Sequence, residues 1–107
     1  MDYQRDINSS MRAMLCDWLV EVHRKLDMLP ETLFLSINLT DRYLSTTEIR
    51  RSKLQLVGVT AMVIASKYEE IYPPVVNDFV YFTDNAYTRD EILMMEKSIL
   101  ETLHFGV

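Results

Sequence analysis

Leu54 to Ala65 is the most apolar stretch of the chain, broken by Gln55 and Thr60 as its polar positions. Lys67, Glu69 and Glu70 then arrive together, and Pro73-Pro74 closes the run. A helix that is apolar all round is enclosed by other helices rather than laid on a surface. Its ionic last turn brings charge to the rim of the core. The run is too short for a bilayer, which takes roughly 20 apolar residues. The pattern predicts a central buried helix with a charged exit.

Four further elements are read around it. After the capping residues Asn8, Ser9 and Ser10, a first helix is predicted from about Met11 to Leu26. At about 100° per residue, Met11, Met14, Leu15, Trp18, Leu19, Val22 and Leu26 gather on one side, with Asp17, Glu21 and Arg24 opposite. Pro30 suits a first helical turn, so a second helix is predicted from Glu31 to Leu44, its core face at Leu33, Phe34, Ile37 and 41–44. Ser52 and Gln55 have capping-box spacing and are expected to open the central helix. Val75 to Phe82 reads as a short helix, although the strand propensity of its Val-Tyr-Phe keeps a strand as the alternative. Thr88 and Glu91 form another capping box, and a fifth helix then runs to about Leu103, with Ile92, Met95, Ile99, Leu100 and Leu103 at helical spacing and Gly106 as its stop. The predicted fold class is all-α, a five-helix bundle with the third helix at its centre and short connections throughout.

With 107 residues, 49% hydrophobic content and 2 glycines, the chain fits one helix-rich domain. A short lead-in, 1–10, and a single domain, 11–107, are expected. The net charge of -5 is spread without blocks of one sign, which argues against nucleic-acid binding and against anionic membrane surfaces. Cys16 has no second cysteine to pair with, pointing to a reducing, intracellular compartment. The polar opening MDYQRDINSS lacks the apolar core of a signal peptide.

The reactive side chains do not assemble into a catalytic set. Cys16 and His23 share a helix face but lie seven residues apart, about 10 Å of rise and beyond the reach of a nucleophile and its base. Cys16 is expected to be a buried structural thiol, and His104 a packing or capping residue. Two distant histidines and one cysteine supply no metal cluster. Gly58 and Gly106 are too far apart for a phosphate-binding loop. Asp17 and Glu21 lie within reach of Arg24 and Lys25, so they read as a solvated ion-pair face. No enzyme activity and no cofactor are expected.

Four stretches carry a resemblance. MRAMLCDWLVEV from Met11, TDRYLS from Thr40, KLQLVGVTAMVIASKYEEIYPP from Lys53 and FVYFTDNAYTRDEILMMEKSILETLHF from Phe79 resemble, in order and spacing, the N-terminal cyclin box. The similarity is greatest to A- and B-type cyclins, and DINSSMRAML and HRKLDMLPETLFLSINLTDRYLS look more B-type. The family's five-helix fold with a buried third helix agrees with the reading above. The resemblance implies a regulatory subunit that binds and activates a cyclin-dependent kinase in mitotic cell-cycle control, in nucleus and cytoplasm, by holding the kinase's C-helix inward.

Carried over residue by residue, Lys67 matches the lysine at the end of the family's buried helix and Glu96 its acidic companion, which together hydrogen-bond the kinase. Ile64, Tyr68, Leu100, Phe105 and Val107 resemble the apolar socket for an aliphatic side chain of the kinase helix. Without the resemblance, Lys67 and Glu96 read as a pair bonded to each other on the surface. Met11, Met14, Leu15 and Trp18, with Leu54 and Gln55, resemble the patch that captures Arg-x-Leu peptides, and Glu21 matches the acidic residue that meets the peptide's arginine. Met14 stands where the family motif carries isoleucine, a softer side chain of similar volume. Periodicity alone makes the Met/Trp stripe a core face, and Gln55 is equally a cap. Arg12 and Asp41 match a structural ion pair between the first two helices, whose loss is expected to cost about 3–5 kcal/mol if truly buried. Larger cyclins carry a helix before the box, a second box after it and a degradation motif; none is found in this sequence, so binding is expected ahead of activation.

Overall fold

In the computed structural model, which describes residues 7–103, everything is arranged around the predicted central helix. The elements are α1 (Ser9–Lys25), α2 (Pro30–Leu44), a 3-10 turn (Arg51–Lys53), α3 (Leu54–Glu69), α4 (Val76–Phe82) and α5 (Arg89–Thr102). Leu54 and the unbroken run Leu56 to Ser66 of α3 are buried, as an element apolar on all sides requires. α2 and α5 make the most extensive packing against it, α1 packs on both α3 and α2, and α4 packs on α5 and α3 with Phe79 buried in the core. The described residues contain helices and no strand, so the alternative for 75–82 is settled as helix.

The helix ends show which local signals governed. Asn8 caps α1, accepting from the Met11 N–H at 2.9 Å. Thr88 and Glu91 form the full reciprocal box at the start of α5. The box expected from Ser52 and Gln55 is absent: Ser52 lies inside the 3-10 turn and α3 begins behind Lys53 with no side-chain cap. The hydroxyl cannot serve because the tighter turn already supplies the entry, with the Lys53 N–H bonded to the Arg50 carbonyl at 2.9 Å. α1 and α4 both end in the paired-bond motif that normally uses glycine. Here Asp27 (φ 53) and Asp84 and Asn85 (φ 54 and 60) take the left-handed positions, with Met28 N–H on the His23 carbonyl and Asn85 N–H on the Val80 carbonyl.

Two faces differ from the periodicity reading. On α2, Thr32, Ser36, Leu39, Thr40 and Tyr43 are buried, while Phe34 is exposed and Leu33 and Ile37 are partly covered. Ser36 and Thr40 donate to the carbonyls four residues back, so their hydroxyls are satisfied and their small volume lets α3 approach. On α1, Leu15, Leu19 and Val22 form the core face, and Met14 points outward at 70% exposure. Gly58 makes the α1–α3 approach possible: a Cβ there would lie 2.7 Å from Leu15 Cδ1. No helix among the described residues is long and apolar enough to cross a membrane.

Candidate functional site

Two surfaces lie at opposite ends of α3. At its start, Met11, Met14, Leu15 and Trp18 from α1 face Leu54 and Gln55 from α3, with Arg51 of the 3-10 turn completing the rim. They enclose an open groove of about 320 Å³. Its walls are apolar, and Gln55 and Arg51 provide polar groups at the edge. Six of the seven residues expected here are brought together. Glu21 is not among the lining residues; its carboxylate lies 3.6 Å from Lys25, one turn along an exposed face. Arg51 was not foreseen. Its position three residues before Leu54 was the available signal, since a short turn leading into α3 must stand beside the groove.

At the other end of α3, Lys67 Nζ donates to Glu96 Oε2 of α5 at 2.7 Å. The lysine side chain is 50% exposed and the glutamate 13%. The two side chains bond each other, as the reading without the resemblance had it, but only the ammonium is at the surface and the carboxylate is largely covered. Helix spacing places Ile64 and Tyr68 on the adjoining turn of α3, and Leu100 one turn beyond Glu96 on α5. Ile64 is fully buried, Tyr68 is exposed and Leu100 partly buried. Phe105, Val107, His104 and Gly106 lie outside the described residues.

Arg12 and Asp41 do join α1 to α2. Arg12 Nε donates to Oδ1 at 2.7 Å and Nη2 to Oδ2 at 2.5 Å, a two-pronged contact. The hydrogen bonds to Asp41 raise the guanidinium's already high pKa further, against a smaller opposing effect of burial. With 34% and 40% of the side chains exposed, the pair is not the buried one the larger cost presumed. It falls in the range of partly exposed bidentate pairs, about 1 kcal/mol.

Glu70 holds a role that sequence reading missed. Its carboxylate accepts from the Leu29 N–H at 2.7 Å and from the Thr32 hydroxyl, so it caps α2, which has no side-chain cap of its own. No local spacing could reveal a cap 41 residues away. Cys16 is half-buried rather than buried. His23 Nε2 lies 2.8 Å from the Leu29 carbonyl. Among the described residues no group of three or more His, Cys, Asp or Glu could hold a metal ion.

The model of the cyclin N-terminal domain matches residues 1–107. Among similar proteins, Cyclin-B1-4 of Arabidopsis thaliana is 61% identical over 91% of this chain and 25% of its own length. Cyclin-B1-1 of Oryza sativa subsp. japonica is 56% identical over 100% of this chain and 24% of its own. G2/mitotic-specific cyclin-2 of Medicago sativa is 54% identical over 100% of this chain and 33% of its own. The chain thus spans a third or less of these relatives. Among solved structures, a viral cyclin from herpesvirus saimiri superposes with a TM-score of 0.90 at 26% identity, covering 96% of this chain and 45% of that one. A central helix wrapped by four others, a full-length family match and B-type relatives above half identity lead to one assignment: this chain belongs to the cyclin N-terminal domain family, on its B-type side.

Proposed function

We propose that this domain docks a cyclin-dependent kinase through the C-terminal end of α3 and presents Arg-x-Leu peptides of substrates or inhibitors in the groove at its other end. In this reading it is the kinase-binding part of a regulatory subunit in the cell-division cycle. The observation that carries it is the Lys67–Glu96 pair. A half-exposed ammonium is held by a mostly buried carboxylate, beside the exposed ring of Tyr68 and the partly covered Leu100. Such a pair presents oriented charge next to apolar area, the combination that anchors and aligns a foreign helix. The groove supports the second half, because its apolar floor suits an aliphatic anchor and Gln55 can bond an extended backbone.

A second reading, an interaction module that binds kinase or peptide without activating, shares these surfaces. The test is a binding assay with a purified cyclin-dependent kinase and an Arg-x-Leu peptide. Lys67→Ala and Glu96→Ala are each expected to weaken kinase binding about tenfold or more, the loss of a charge-assisted bond. Trp18→Ala is expected to abolish peptide binding and spare the kinase. Unchanged kinase affinity in both docking variants removes the assignment. Phosphorylation of a histone substrate by the purified pair separates an activator from a module that merely binds.

A further inference from the structure

The turn between α2 and α3 carries a hydroxyl, that of Ser52, which lines neither the groove nor the end of α3 at Lys67. Arg50, Arg51, Ser52 and Lys53 are consecutive and exposed there. The turn is a ridge between two hollows. Arg51 lines the groove with Trp18 and Gln55. On the other side, Arg50 and Lys53 line a hollow of about 420 Å³ with Leu56 and Met95. The ridge is anchored by the α4–α5 connection, where the Tyr87 hydroxyl donates to the Ser52 carbonyl at 2.7 Å, and by the first turn of α5, where Glu91 lies 3.5 Å from Lys53.

We propose that Ser52 is a phosphorylation site for an arginine-directed serine kinase and that the phosphate retunes the adjoining groove. The acceptor is exposed, and its hydroxyl makes no hydrogen bond to a described residue. The neighbouring hydroxyls differ: Ser45 donates to the Arg42 carbonyl at 2.7 Å and Thr46 to the Tyr43 carbonyl at 3.0 Å, which ties both into the end of α2. Two guanidiniums directly precede Ser52, the charge pattern by which a kinase with an acidic substrate cleft selects its acceptor. The approach runs along the exposed side chains of the turn, with Ile49 packed into the core beneath them and the Ser52 carbonyl held by Tyr87. Residues 48–50 have no regular structure, Arg50 is extended (φ -73, ψ 149), and a three-residue 3-10 turn has weak hydrogen bonds that a cleft can displace.

In the reaction the seryl Oγ attacks the γ-phosphorus of ATP, the bond from that phosphorus to the β-phosphate oxygen breaks, ADP leaves, and the hydroxyl proton passes to the kinase's base. The product carries roughly 1.5 to 2 negative charges at pH 7. At Ser52 that charge stands between Arg51 and Lys53 and just ahead of the first turn of α3, where the helix dipole favours an anion. The rim of the groove gains that negative charge. The consequence rests on the peptide-groove reading: the added charge at the Arg51 edge attracts a net-basic Arg-x-Leu peptide, which then binds about two- to five-fold tighter, and the gain shrinks as salt rises.

The test uses the 107-residue chain, a purified arginine-directed serine kinase and ATP labelled in its γ-phosphoryl group. Mass-spectrometric mapping is expected to place the phosphate on Ser52, with none incorporated at this turn in Ser52→Ala or when Arg50 and Arg51 are both alanine. Label confined to residues 45–47, or no label on the folded chain, overturns the site. Fluorescence polarisation with an Arg-x-Leu peptide, before and after modification, reads the groove. Tighter, salt-sensitive binding supports the control, and equal or weaker binding overturns it. If the unmodified chain binds no peptide, the groove reading and the control fall together, while the mapped phosphate still decides the site.

Discussion

Glu70 and Glu91 both secure helix starts, Glu91 within its own helix and Glu70 across the molecule. Glu91 closes the box on Thr88. Its carboxyl sits below the ordinary value of 4.5, chiefly because the Thr88 N–H donates to it, with Lys53 adding a smaller effect. A carboxyl whose pKa falls on folding stabilises the fold above its unfolded value and loses that contribution as pH drops through the folded value. Amide-exchange protection in the first turn of α5 is therefore expected to be constant above pH 4.5 and to decline on further acidification. Glu91→Gln, which keeps the hydrogen-bonding shape, should lack that decline. Parallel profiles in the two proteins would refute the assignment. Arg12 and Asp41 teach the complementary lesson, that the right partners do not guarantee the burial on which a large energy depends.

At the level of elements, the α1–α3 packing depends on the missing side chain of Gly58. Alanine there gains helix propensity, about 1 kcal/mol, but drives a Cβ to 2.7 Å from Leu15 Cδ1 and 3.2 Å from its Cγ. Leu15 is buried and also lines the groove, so its displacement disturbs core and groove together. Gly58→Ala is expected to lower stability in urea by about 1–2 kcal/mol, the cost of overpacking less the propensity gain. The penalty should fall or reverse in a Leu15→Val background, and an equal penalty in both backgrounds would show that the contact is not its source. α2 shows the same dependence on neighbours. Its apolar spacing pointed to Phe34, whereas its small hydroxyl residues face α3, because close packing between helices rewards low volume once the hydroxyls bond their own backbone.

For the molecule as a whole, α3 is a rigid rod with a groove at one end and an ion pair at the other. Gln55 and Lys67 stand twelve residues apart, about 18 Å along the axis. Sites that distant, sharing no partner, act independently. The free-energy effects of Trp18→Ala and Lys67→Ala on stability are accordingly expected to add in the double variant within about 0.5 kcal/mol. A larger deviation in urea titrations would reveal coupling through the rod. The sequence by itself determined the helices, the burial of α3, the Thr88–Glu91 cap and the resemblance that marks the family. These are carried by neighbours within a turn or two, or by uninterrupted apolar runs that admit one environment. Tertiary structure alone decided that Glu70 caps α2, that Arg51 rather than Glu21 rims the groove, that Ser52 belongs to a turn and not a cap, and that Arg12 and Asp41 stay partly wet. Each of those depends on where a distant element stops in space, and periodicity records which side of a helix is apolar without recording what is placed against it.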